Sequence, residues 1–222
     1  MGGRNRPCCA AGCAVLVVAL TATPTRAQTP AAPPDSMLPA GGAGVRMQTL
    51  LEKTIFKVDV LTLEVWLGEK ATRRIEEIVA GSRYSSDVAD GVAEVAINSE
   101  DALVRLEFER DVSFEQFLDG IDENLRHVPR AGVIAEADYQ EISENLPRWF
   151  AFLAERGVHE GDEITYRIRG DSLRTRYVAA DGRILLDQMD VGAAARLSVL
   201  GSYFVKESEF RRGLVSSLFS GG

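Results

Sequence analysis

The sequence predicts an α+β domain in which antiparallel strands carry a layer of amphipathic helices. Three observations lead there. Alternating runs rich in β-branched and aromatic residues recur at 54–67 and 102–108. Two turn signals, Gly170-Asp171 and Asp181-Gly182, fold 163–187 into an antiparallel meander. Between and after these runs lie helical stripes with their own start signals. Strands with one apolar face need helical stripes to cover that face, which makes layers. No internal repeat is present.

Taken in order, Thr54 to Leu67 reads as a long strand whose alternation changes partway. Phe56, Val58 and Val60 are apolar on one parity, Leu61, Leu63 and Val65 on the other, so a bulge is expected near Val60–Leu61. Residues 69–99 carry a weaker pattern, with a helix expected over Ser86–Ile97. Ala102–Phe108 is a strand with Val104, Leu106 and Phe108 on one face. Ser113 and Gln116 form a capping box before a helix striped by Phe114, Phe117, Leu118, Ile121 and Leu125. Asp138 and Glu141 open a second helix, which Pro147 should kink or break and Gly157 should end. The meander strands fall near 163–169, 172–180 and 183–187, and helices near 192–203 and 208–219 close the chain.

The N-terminus has a different character. Arg4 and Arg6 precede an apolar run of 13 residues, Cys8 to Leu20, and Thr25-Arg26-Ala27 supplies small residues beyond it. This reads as a signal peptide over 1–27, since a membrane span needs roughly 20 apolar residues. Residues 28–43, rich in Pro, Ala and Gly, read as a flexible leader, and 44–222 as one domain. Cleavage removes Cys8, Cys9 and Cys13, leaving no thiol or disulfide chemistry. It also removes three arginines and no acid, moving the net charge from −8 to −11. That balance disfavours nucleic acid and anionic membrane faces as partners. The expected location is the periplasm or the exterior, with no stable membrane anchor after cleavage.

Chemistry-bearing patterns are few. His127 and His159 are the only histidines, so no zinc spacing exists and no metal is expected. The glycines at 41, 42 and 44 follow no predicted strand and make no dinucleotide loop; no cofactor is expected. There is no Gly-x-Ser-x-Gly elbow. If Gly170-Asp171 is a two-residue turn, Arg167 faces Arg174 and Thr165 faces Arg176. Arg167, Arg169, Arg174 and Arg176 then share one face, opposite Ile164, Tyr166, Ile168, Leu173 and Tyr177. Facing arginines need acids or an anion between them. The arginine face is therefore either a solvent-facing ladder of ion pairs, with Asp187 opposite Arg176, or an anion patch. Arg169-Gly170-Asp171 is also an adhesion-type tripeptide, but the turn requires Gly and Asp in any case.

Gly42-Ala43-Gly44-Val45-Arg46, leading to Phe56-Lys57-Val58, resembles the opening of the chalcone isomerase family. LVRLEFERDVSFEQFL, YQEISENLPRWFAFL, GDEITYRIRG and GSYFVKESEFRRGLVSSLF follow in the family's order, so the likeness runs from about Gly42 to Phe219. It is greatest to the exported bacterial branch. The resemblance implies an open-faced β-sandwich: a large antiparallel sheet, helices packed on one side, and a ligand cleft between. It implies two activities, ring closure of a chalcone assisted by a charged arginine, or fatty-acid binding through an arginine and a tyrosine.

Carried over by position, Arg46 matches the arginine of the Gly-Val-Arg motif; read without the resemblance, it is a solvated residue ending the leader. The family's helical Tyr and Asn, seven apart, resemble Tyr139 and Asn145, which are six apart. One residue turns a helix by about 100°, so at most one of the pair matches. Tyr139 also reads as a half-buried helix residue. The strand threonine of the enzymes falls near Asp59, where a carboxylate would weaken the positive field an enolate needs. Asp59 also has Lys57 as a partner in reach.

These departures favour a non-catalytic binder of a small amphipathic anion such as a fatty acid, with a flavonoid-like molecule as the other ligand class. Arg46 would be the charge partner. A chalcone-type intramolecular lyase and a ligand-free envelope protein stand as alternatives, and no catalytic residue is assigned. N-terminal sequencing of exported protein should begin at Gln28 and thiol titration should find none; a native N-terminus at residue 1 would overturn the reading of 1–27.

Overall fold

Six strands in chain order, each antiparallel to the next, form one open sheet, β1-β2-β3-β4-β5-β6. The computed structural model describes residues 44–53 and 58–220. The expected signal, the leader up to residue 43 and the first four residues of the expected 54–67 strand lie outside them. The strands are β1 Arg46–Lys53, β2 Val58–Leu67, β3 Asp101–Phe108, β4 Glu163–Arg169, β5 Ser172–Val178 and β6 Ile184–Val191. Helices α1 Glu69–Val79 and α2 Ser86–Ile97 join β2 to β3; α3 Phe114–Leu125, α4 His127–Arg130 and α5 Glu136–Trp149 join β3 to β4. Helices α6 Ala193–Phe204 and α7 Arg211–Ser217 follow β6. The architecture is therefore α+β, an open antiparallel sheet with packed helices.

Alternation sorts the two faces of the sheet. Met47, Leu63, Val65, Val104, Ile164, Ile168 and Tyr177 are all buried on the face that meets the helices. The expected bulge is present at Val60: Leu51 pairs Leu61 while Glu52 pairs Asp59, so Val60 is the extra residue. It lets Val60 and Leu61, consecutive in sequence, both be buried. At the same edge, Gly213 of α7 lies so close to β1 that a Cβ there would overlap the Thr49 side chain.

The opposite face carries Trp66 and Leu103 among charged residues and is tied by ions. Arg105 on β3 reaches Glu64 on β2 at 3.2 Å, Glu107 at 3.1 Å and Glu163 on β4 at 2.5 Å. One guanidinium thus clamps three adjacent strands and separates Glu107 from Glu163, which stand directly opposite each other. The β4–β5 register is as expected, with Arg167 facing Arg174 and Thr165 facing Arg176. Arg169 and Arg174 are exposed, and Arg174 holds Asp187 through two 2.7 Å bonds. Arg167 departs from the solvent-facing expectation: it is only 7% exposed. It lies along the sheet, donating to the carbonyls of Ala102 and Ile168 and pairing with Asp101 at 2.6 Å. The second meander turn also differs. Ala179 N–H donates to the Arg183 carbonyl and a register shift follows Tyr177, so the loop is longer than two residues.

The end of the sheet beside α5 is organised by one carboxylate. Asp162, fully buried, accepts five hydrogen bonds. They come from Arg156 Nη1 and Nη2 at 2.7 and 3.2 Å, His159 N–H at 2.9 Å, Tyr177 hydroxyl at 2.7 Å and Ala180 N–H at 2.9 Å. Its burial alone would raise its pKa, but these donors outweigh that and hold it at about 2. An unfolded aspartate titrates at about 3.9. The depressed group therefore stabilises the fold fully above that value, and the contribution is lost as pH falls from about 4 to about 2. Asp162→Ala should lower stability by about 3–5 kcal/mol in urea titration, because it strands Arg156 and the Tyr177 hydroxyl. The acid unfolding limb of the variant should lose the part that lies between about pH 4 and pH 2.

A cavity between the sheet and the helices

Apolar side chains of the sheet and of α3, α5 and α6 leave a cavity of about 620 Å³ between them. Its floor is the inward face of β2 to β6, including Leu61, Leu106, Ile164 and Leu186. An aromatic wall stands at one side, with Phe117 of α3 edge-on to Phe150 at 5.0 Å and tilted to Phe108 at 6.1 Å. The capping box that starts α3 fixes that wall: Ser113 Oγ accepts from Gln116 N–H at 3.2 Å, and Gln116 Oε1 accepts from Ser113 N–H at 3.1 Å.

One row across the floor is polar. Tyr166 on β4 faces Thr175 on β5, which faces Gln188 on β6, and all three line the cavity. The rows on either side carry Ile164 with Tyr177 and Leu186, and Ile168 with Leu173. Above the floor, Tyr203 of α6 also lines the space, packed edge-on to Phe210 at 5.3 Å. Burial raises the pKa of both tyrosines, with Tyr166 adding to the effect on Tyr203. Both phenols line the cavity and stay protonated at physiological pH.

The rim has the opposite character. Asp119, Glu123, Asp138, Glu141, Asp190 and Glu209 border the cavity, and Arg110 is the one cation among the described lining residues. No histidine or cysteine is among them. The described residues hold no group of three or more His, Cys, Asp or Glu side chains able to bind a metal.

The residues singled out in the sequence do not gather here. Arg46 lies in β1, not at the end of a leader, and Met47 beside it is wholly buried on the helix-facing side. Strand alternation therefore turns Arg46 to the far face, where it pairs with Glu64 and sits 5.5 Å over the Trp66 ring. Tyr139 donates to Asp122 Oδ1 at 3.1 Å, and Ser143 donates to the same oxygen at 2.8 Å, so both fasten α5 to α3. Asn145 donates to the Glu141 carbonyl at 2.7 Å. None of the three borders the cavity. The Asp59 side chain lies outside the described residues. Asp138 is not the N-cap of α5 but its third helical residue, its carboxylate accepting from Ala135 N–H at 3.2 Å. Tyr166, Thr175, Gln188, Tyr203 and Arg110, which line the cavity, are not among the residues the sequence singles out for a site. For Tyr166 a signal existed: a tyrosine among inward-facing isoleucines brings a hydroxyl that needs a partner.

No protein-family model matches the chain, and no match emerges among curated proteins. The site's chemistry therefore stands on its own residues: an apolar enclosure, a row of neutral hydrogen-bonding groups and an acid-rich rim. Tyr139→Phe should cost about 1 kcal/mol of stability in urea titration, by loss of the bond to Asp122, and leave the binding of any cavity ligand unchanged.

Proposed function

We propose that this chain is an exported, non-catalytic binding protein of chalcone isomerase-like fold that holds one small amphipathic molecule between its sheet and its helices. The cavity carries this reading. Protein interiors are close-packed, and an unfilled apolar volume costs stability unless it serves a ligand. About 620 Å³ lies within the range of small-molecule sites. The antiparallel sheet with helices on one face, and the space between them, agree with what the resemblance implies. The basic start and short apolar run at the N-terminus support export, and no described helix is long and apolar enough to cross a membrane.

Ring closure of a chalcone-type ketone asks for a guanidinium beside the reacting oxygen. Arg46 sits on the far face in an ion pair, and Arg110 stands at the rim. That geometry favours binding over catalysis. For an anionic ligand, Arg110 takes the part expected of Arg46, holding a carboxylate at the mouth while the chain of the ligand enters the cavity.

Dodecanoate titration tests the assignment. Arg110→Ala should weaken its binding by about three- to fivefold, the size of a solvent-exposed ion pair, and Arg46→Ala should leave it unchanged. Absence of binding by any apolar probe would instead support a ligand-free structural protein, and robust chalcone ring closure would support the enzyme.

A further inference from the structure

We infer that Tyr166, Thr175 and Tyr203 form a recognition subsite for an uncharged oxygen acceptor, so that the cavity prefers a neutral ester, amide or ketone over a free carboxylate. The inference rests on the binding reading above and names the ligand class.

The geometry comes first. Tyr166 and Thr175 are direct cross-strand partners on the cavity floor, and Tyr203 enters from α6. No hydrogen bond joins the hydroxyl of Tyr166, Thr175 or Tyr203 to any described residue, and all three residues line the cavity. Of the three other tyrosines, Tyr139 finds Asp122 and Tyr177 finds Asp162, while Tyr84 is exposed at the surface. Buried hydroxyls ordinarily have partners, so unclaimed donors facing an open volume point to an acceptor that arrives with the ligand. Tyr166 lies deep in the fold, yet part of it borders open volume, which is the cavity.

Charge selects the kind of acceptor. Both phenols stay protonated, because burial opposes their ionisation, and so they donate. Gln188, next in the row, donates an amide N–H to Asp190 Oδ1 at 2.9 Å. Ser198 and Ser202, also on α6, donate to the Ala195 and Ser198 carbonyls. No described cation borders the cavity except Arg110 at the rim, and Asp190 lies beside the row. A carboxylate drawn into this subsite would be desolvated without a counter-charge and would face an acid. A neutral carbonyl or ester oxygen takes the same hydrogen bonds without that cost.

The test pairs two ligands of one chain length. Dodecanoate and methyl dodecanoate compete at pH 7 against the neutral fluorophore N-phenyl-1-naphthylamine on the mature protein. The ester should displace the probe at about tenfold lower concentration. Because an ester is also the more apolar of the two, the Tyr166→Phe/Tyr203→Phe double variant decides the cause. It should weaken the ester by about tenfold, leave dodecanoate nearly unchanged, and so remove the preference. Its melting temperature should stay level or rise, since no protein partner is lost; a hydroxyl with a structural role would lower it. Equal affinity for acid and ester, or a preference that survives the double variant, overturns this inference and leaves the binding reading standing. Failure of the fluorophore and of both ligands to bind overturns both.

Discussion

The buried carboxylate of Asp162 is the contact on which the cavity's architecture turns. It lies at the start of β4, where three separately folded pieces must meet: the loop leaving α5, the strand β5 and the turn before β6. Each sends a donor to it, and the backbone adds two more ties, Phe108 N–H to the Asp162 carbonyl and Gly161 N–H to the Phe108 carbonyl. β3, β4 and β5 are thereby held at one end, and the aromatic wall of α3 and α5 is brought over that end. A hydrophobic core can be rebuilt by many residue combinations. A charge that accepts five hydrogen bonds from four residues has few substitutes, which concentrates the specification of this corner in a single side chain.

Strand parity does the rest. The same alternation that drives Leu, Ile and Tyr toward the helices leaves Glu64, Arg105, Glu107 and Glu163 on the other side, where Arg105 joins β2, β3 and β4. The sheet is thus held from both faces by different physics, burial on one and charge-assisted hydrogen bonds on the other. The cavity exists because the helix layer does not descend fully onto the floor at β2–β6. Where α7 meets β1, by contrast, a glycine permits backbone-close packing and no space remains.

Local signals in the sequence were strong wherever one interaction dominated. The capping box of α3, the helix at Ser86–Ile97, the bulge at Val60 and the facing of Arg167 with Arg174 were all legible because each depends on residues a few positions apart. α1 escaped notice because its inward stripe is only Ala71, Thr72 and Ile75 among charged residues. β1 carries no strand signal of its own in the sequence, because Leu50, exposed at an edge strand, blurs its alternation. The site was less legible than the fold. Arg46 and Tyr139 follow by position from the family resemblance, but which side of a strand or helix a residue occupies depends on its neighbours, buried Met47 for Arg46 and half-buried Ile142 for Tyr139. The polar row Tyr166–Thr175–Gln188 is assembled from three strands, and no single stretch of sequence displays it.

Gly213 has a consequence of another kind. Its α-carbon sits against Thr49 with no room for a methyl group, so the pairing of a C-terminal helix with the first strand admits one amino acid at that position. The two ends of the described fold are therefore linked by a position with almost no mutational latitude. Tolerance at 213 in a random-substitution library would report whether the C-terminal helix is seated against β1, independently of anything the cavity holds.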